Sequence, residues 1–232
     1  MNNIVSIKEK LDNIQRDIIN LNSKAKLVCV CKKFPVEVYE VLLKLGQNNF
    51  AENYVQEAIE KRELLDKQKK SLIHWHFIGK IQSNKIKDLC KYFSVIHSLD
   101  QIKHAKKMNQ VLKEENKTID VLVHVNLAQE QQKSGIKKED LKQFLFDLQQ
   151  FEKINCIGLM TFPPYQDNPE NNRKYFKALK LLLDKNKTNV RDEKRFVHLS
   201  MGVSNDYKVA LAEGASFIRI GSGILGQREK LV

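Results

Sequence analysis

Lys32 ends the apolar run "LVCVCKKFP" at residues 27–35. A lysine closing a strand is ordinarily a solvated charge where the chain leaves the core. Held inside a pocket instead, its amine is desolvated, its pKa falls, and it becomes a nucleophile toward aldehydes. Two glycine-bearing segments late in the chain suit an anion. "SMGVSNDY" (200–207) passes through Gly202 toward a helix with Ser204 as its expected N-cap, where free N–H groups and the positive end of the dipole face outward. "RIGSGILG" (219–226) supplies Gly221, Ser222 and Gly223, small enough for close backbone approach and able to donate hydrogen bonds. Either loop alone reads as a tight turn; together they point to phosphate. Asp206 argues the other way, since a carboxylate aimed at the same place would repel the anion. In "SFIRIG" the alternation puts Phe217 and Arg219 on one strand face and Ile218 and Ile220 on the other. A desolvated guanidinium needs a partner. That partner is either a carboxylate or a ligand nitrogen, and arginine is a known partner of the pyridine nitrogen of pyridoxal phosphate. Amine, phosphate cradle and arginine together describe that cofactor.

These residues need elements to position them. Ile4, Ile7, Leu11, Ile14, Ile18 and Leu21 recur at spacings of three and four, predicting an amphipathic helix over 3–22. Short apolar runs follow at 27–31, 48–52, 73–78, 94–98, 120–126, 154–160, 196–200 and 216–220. Helical stripes lie between them. Val38, Val41, Leu42 and Leu45 form one, bounded by Pro35 and Gly46; Tyr175, Leu179, Leu182 and Leu183 form another. Eight strands alternating with helices predict an α/β fold, a single (β/α)8 TIM barrel with an extra N-terminal helix. A doubly wound open sheet is the alternative, because alternation does not show closure. No Pro/Ser-rich linker divides the 232 residues, so one domain over 1–232 is expected. Barrel enzymes place their sites at the C-terminal ends of the strands, with phosphate usually at loops seven and eight. Lys32, Asn53, "GKIQSNK" (79–85), "SMGVSN" (200–205) and "GSG" (221–223) all fall on that rim.

Composition narrows the function classes. The chain is 42% hydrophobic and 29% charged, as soluble globular proteins are. No apolar run approaches the ~18 residues of a membrane span. The start "MNNIVSIKEKLDNIQRD" carries no signal-peptide h-region, so a cytoplasmic protein without membrane contact is expected. Cys29 and Cys31 share a strand face, and with Cys90 and Cys156 they show neither CxxC nor zinc spacing. All four read as small apolar residues in a reducing compartment, with no metal site. The net charge of +12 is interleaved through segments such as "KKEDLK" and "KRELLDKQKK", the pattern of solvated helix faces. No nucleic-acid motif accompanies it, so nucleic acid is not an expected partner, although the charge helps attract anions. His74, His76, His97, His124 and His198 lie on or beside strands and read as core or rim residues, none as a general base. Asn53 and His76 are candidates to support a ligand ring or neighbouring loops, and Met160 to pack.

"WHFIGKIQSNKIKDL" (75–89) closely resembles the signature of the pyridoxal phosphate homeostasis protein family. "FAENYVQE" (50–57), "KSGI" (133–136), "GLMTFPP" (158–164), "SMGVSNDY" and "RIGSGILG" resemble family blocks in the same order, from about residue 27 almost to the end. That family is similar to the barrel domain of alanine racemases and binds pyridoxal 5'-phosphate through an aldimine without an established reaction. The resemblance implies the aldimine on Lys32, the pyridine-nitrogen arginine at Arg219, and phosphate ligands at Ser200, Met201, Ser204, Gly221 and Ser222. Departures are Cys31 where the family commonly has serine, Phe34 in place of a second lysine, and Ala51 where glycine is usual. Phe34 bears on any relay of cofactor through that position and leaves Lys32 intact.

The expected function is to hold pyridoxal 5'-phosphate as a lysine aldimine and act in intracellular vitamin B6 homeostasis, without robust catalysis. Apo pyridoxal-phosphate enzymes are the expected recipients, and the protein is expected to be a monomer. The chain stops at Val232, a few residues past the last strand, which leaves no room for the second domain that supplies racemases with an opposed base. Two alternatives stand: a pyridoxal-phosphate enzyme of racemase or decarboxylase type, and a sugar-phosphate barrel enzyme using Lys32 as a cofactor-free Schiff-base lysine.

Overall fold

The computed structural model describes residues 2–21, 24–130 and 134–226, with side chains from Ile4 onward. Asn22, Lys133 and Val232 of the sequence reading lie outside the described residues. Eight strands run as β1 (Lys26–Val30), β2 (Asn49–Glu52), β3 (His74–Phe77), β4 (Val95–Leu99), β5 (Ile119–His124), β6 (Ile154–Met160), β7 (His198–Val203) and β8 (Phe217–Ile220). They pair in chain order, and β8 returns to pair parallel with β1, so the sheet closes on itself. The fold is a (β/α)8 barrel with an additional N-terminal helix, and the open-sheet alternative is excluded.

Period-2 alternation sorts each strand between two cores. Cys29, Cys31, Ile218 and Ile220 face outward into the large apolar layer under the helices. Val28, Val30, Ala51, Leu122, Met160 and Phe217 fill the barrel interior. β7 extends to Val203, beyond the expected end at 200, because its register with β8 shifts between Ser200 and Val203. Gly202 sits in that irregularity at φ +89, and a Cβ there would meet Ala210 Cβ at 2.6 Å. Only glycine fits such a turn of backbone.

The N-terminal helix α1 (Asn2–Asn20) buries Ile7, Leu11, Ile14 and Ile18, while Ile4 and Leu21 of the expected stripe stay exposed. Side chains from α1 bind the helices that follow β7 and β8. Tyr207 Oη donates to Asp17 Oδ2 at 2.6 Å, Lys208 Nζ lies 3.2 Å from the same carboxylate, and Lys10 Nζ reaches Ile224 O at 3.4 Å. Helix α2 (Glu37–Lys44) buries Leu42 as the periodicity predicts, but its other fully buried side chain is Tyr39, which the apolar stripe did not include. No helix among the described residues is long and apolar enough to cross a membrane.

The lower barrel interior is polar. His97 Nδ1 lies 2.7 Å from Ser200 Oγ, His97 Nε2 lies 2.8 Å from His76 Nδ1, and His76 Nε2 lies 3.3 Å from Asn49 Oδ1. Phe217 packs its ring against His76, His97 and His198 at centroid separations of 5.7, 5.2 and 5.3 Å. Burial, reinforced by neighbouring His74 and Lys26, pushes His76 down to about 3. Burial, with His76 and Arg219 adding to it, holds His97 well below the ordinary imidazole value.

A pH dependence follows. Between the unfolded value of 6.5 and about 3, the unfolded chain takes a proton on His76 that the native state refuses. Stability therefore falls as pH falls through that window, by ~1.4 kcal/mol per pH unit for each such histidine. Urea unfolding at about pH 7 and about pH 5 should show a loss of about 2 kcal/mol from His76, with His97 adding a loss of the same sign. His76→Gln should remove about one histidine's share of that loss. Equal unfolding free energies at the two pH values would show that the pair is protonated without cost.

Candidate binding site at the barrel mouth

A cavity of about 770 Å³ opens at the C-terminal ends of the strands. Lys32, Asn53, Ser204, Arg219, Gly221 and Ser222 all border it, so sequence positions spread over the whole chain meet on one rim. Three expected residues do not reach its wall. Ser200 is wholly buried inside the barrel beneath Arg219, because alternation along β7 turns it inward below the rim. Met201, the next residue, points outward and packs under the helices. His76 is committed to His97 and Asn49 deeper in the barrel. Lys80, His124 and Asn126 border the cavity without having been singled out as ligands.

Lys32 leaves β1 at a turn fixed on both sides by charge. Lys61 Nζ donates to Cys31 O at 2.8 Å and to Glu52 Oε1 and Glu57 Oε1, both at 2.7 Å. The Lys33 N–H donates to Glu57, and Lys33 adopts φ +62. Tyr39 Oη donates to Glu52 Oε1 at 2.6 Å. Burial raises the Glu52 carboxyl despite Lys61, and it raises the Tyr39 phenol. Buried ion pairs of this kind contribute little net stability when intact, but removing one partner strands the other. Glu52 sits in "FAEN", a charged residue at a strand position whose neighbours are buried, and that mismatch was the available sequence signal. The next residue, Asn53, has its Oδ1 buried without a hydrogen-bond partner. Gly79 packs against it so closely that a Cβ would fall 1.9 Å from Asn53 O.

Across the mouth, the loops after β7 and β8 interlock. Ser204 Oγ accepts from Gly223 N at 3.0 Å and from Ser222 Oγ at 3.3 Å. The N-cap of the helix Tyr207–Ala212 is Asp206, not Ser204 as the sequence suggested. Asp206 is turned away from the mouth: Oδ1 accepts from Val203 N at 2.7 Å and Oδ2 from Asn172 Nδ2 at 2.8 Å. Its carboxylate therefore braces the loop, which removes the objection that it repels an anion there.

Arg219 is 3% exposed and has no carboxylate within salt-bridge distance among the described residues. Nη1 donates to Ser200 Oγ at 2.5 Å and Nη2 to Thr161 O at 2.9 Å, and Phe162 lies 5.8 Å from the guanidinium. Burial pushes Arg219 down to about 10, with Asp206 pulling the other way, so it stays charged at neutral pH. Two of its donors are satisfied within the protein, and its remaining edge borders the cavity. An amine, an orphaned amide oxygen, a serine-glycine cradle and unshared guanidinium donors around one space fit a phosphorylated pyridine aldehyde.

The comparisons with known proteins agree with this chemistry. A family model described as "Alanine racemase, N-terminal domain" matches residues 4–229. The pyridoxal phosphate homeostasis protein of Aquifex aeolicus is 39% identical over 207 residues, covering 88% of this chain and 88% of that one. PipY of Synechococcus elongatus PCC7942, without PLP, superposes with a TM-score of 0.85 at 30% identity, over 95% of this chain and 100% of that one. The same protein with PLP bound gives 0.83 at 29% identity, over the same shares of each chain. A full-length family match and relatives this similar over most of their length settle the kinship: the chain belongs to the pyridoxal phosphate homeostasis protein family, built on the alanine racemase N-terminal domain.

Proposed function

We propose that this chain is a single-domain, monomeric, cytoplasmic protein that binds pyridoxal 5'-phosphate in the barrel mouth through a Schiff base to Lys32. It serves homeostasis of that cofactor, including supply to apo enzymes, without fast turnover. The observation that carries this reading is the convergence of Lys32, Arg219, Ser204 and Ser222 on one cavity. When bound, the cofactor supplies an aldehyde for amine capture and a pyridine ring able to act as an electron sink. Lys32 Nζ is the amine, presented by the turn that Lys61 and Glu57 hold. Ser204, Gly221 and Ser222 would hold the phosphate, and Arg219 would face the ring nitrogen. Ser200 acts only through Arg219, and Met201 has no side-chain part in the site. Asn53 Oδ1 is placed to accept a hydrogen bond from the ligand.

Arg219 also supports the absence of fast carbanion chemistry. That chemistry benefits from a protonated pyridine, and a guanidinium that stays charged at neutral pH opposes a second positive charge beside it. Arg219 would hold the ring nitrogen as an acceptor, which suits storage of the cofactor.

Borohydride reduction of the loaded protein followed by peptide mapping should place the pyridoxyl group on Lys32; a label mainly on Lys33 or Lys80 would refute the assignment. Phosphate contacts should dominate affinity, because charge-assisted hydrogen bonds contribute about 1.5–3 kcal/mol each. Unphosphorylated pyridoxal should accordingly bind far more weakly, and the double variant Ser204→Ala/Ser222→Ala should weaken pyridoxal 5'-phosphate binding by roughly 10²–10⁴-fold while keeping the fold. Equal affinity for pyridoxal and its phosphate would remove the cradle. In deuterated water, amino acids incubated with loaded protein should exchange their α-proton slowly and without inversion. Rapid Lys32-dependent α-deuteration with inversion would replace the storage reading by a racemase one.

A further inference from the structure

We infer that His97 and His76 are positioning residues for Arg219, acting through Ser200 as a buried column of hydrogen bonds that donates in one direction only, from the cavity to the barrel floor. The two ends of the column dictate its sense. Arginine has donors and no acceptor, so Arg219 Nη1, 2.5 Å from Ser200 Oγ, must donate to it. The hydroxyl then has its own proton to place, and His97 Nδ1 lies 2.7 Å away. An accepting Nδ1 puts the single proton of neutral His97 on Nε2, which faces His76 Nδ1 at 2.8 Å. By the same step His76 carries its proton on Nε2, 3.3 Å from Asn49 Oδ1. Asn49 is oriented to receive it, because its Nδ2 donates to Asn48 Oδ1 at 2.8 Å.

The reverse sense fails at both ends. A proton on His97 Nδ1 would make the Ser200 hydroxyl accept twice and leave its own proton without either of these neighbours as acceptor. A bare His76 Nε2 would then face the lone pairs of Asn49 Oδ1. Charged rings fail as well, since His97 is 0% and His76 2% exposed, next to a guanidinium. Thr161 O, which accepts from Nη2, fixes the guanidinium at a second point, and its unshared edge is left facing the cavity as a permanent donor. The column thus selects rings that offer an acceptor nitrogen at this position over isosteric rings with C–H there. This selection rests on the reading that the ligand ring lies against Arg219; the tautomers do not.

The test has one readout without ligand and one with it. Nitrogen-15 NMR of the cofactor-free protein at neutral pH should show protonated Nε2 and bare Nδ1 on both His97 and His76. Wild-type protein should prefer pyridoxal 5'-phosphate over its 1-deaza analogue, in which C–H replaces the ring nitrogen, by about tenfold or more. His97→Asn keeps an acceptor oxygen where Nδ1 stood and should retain that preference; His97→Leu has no acceptor and should lose most of it. Should His97→Leu fail to fold, Ser200→Ala breaks the same column and should lose the preference likewise. An Nδ1-protonated or cationic ring at either histidine overturns the proposal, and so does an unchanged preference in the variants that break the column. If wild-type protein binds neither compound while both tautomers are as stated, the binding reading fails and the column stands.

Discussion

A guanidinium buried in the barrel is the constraint around which the interior is arranged. Water cannot solvate Arg219, so the protein must, and desolvating an ion without compensation is prohibitive. Ser200, the carbonyl of Thr161 and the Phe162 ring supply local contacts, while the more distant Asp206 supplies field. Burial keeps the imidazoles below it neutral, and at His97 the guanidinium adds to that. It also explains why the inner core is divided: apolar side chains occupy one part, and hydrogen-bonded histidines capped by Phe217 occupy the rest. A barrel lined by hydrocarbon alone would have been simpler to pack. It could not have carried a charged residue to the mouth on its last strand.

The opposite wall solves a different electrostatic problem. Lys32 needs a defined direction, yet it stands where a strand becomes a turn, a place of weak backbone order. Lys61 ties the carbonyl before it and Glu57 ties the amide after it, with Glu52 and Tyr39 holding Lys61 from below. The charges that orient the amine lie behind the backbone, outside the cavity. The ligand space is therefore shaped by fixed charge that it does not itself contain.

Periodicity made the architecture legible. Alternation assigned Phe217 and Arg219 to one face and Ile218 and Ile220 to the other, and the structure keeps them there. It also explains Met201: a motif names neighbours in sequence, whereas a strand sends neighbours to opposite faces, so the side chain after Ser200 points away from the interior. Ser204 as N-cap failed for a related reason. The bulge lengthens β7 to Val203 and delays the helix, leaving Asp206 at its start. Tyr39, Glu52 and Lys61 were not legible as a group, because three polar residues on separate elements acquire meaning only when packing brings them together. The histidine column was hidden likewise: each ring, taken singly, is an ordinary core histidine, and only the distances reveal an ordered series.

The bond between Tyr207 and Asp17 spans 190 residues of chain. It joins α1 to the first turn of the helix that follows the cradle loop, so a side chain made early finds its partner only after 190 further residues. Closing so long a loop is entropically costly, and non-local contacts of this kind form late in folding. A nascent chain emerging from the ribosome would have its lysine turn assembled well before its cradle. Capture of a reactive aldehyde would thus wait for a finished barrel, and incomplete chains would have little means of drawing cofactor from the cell.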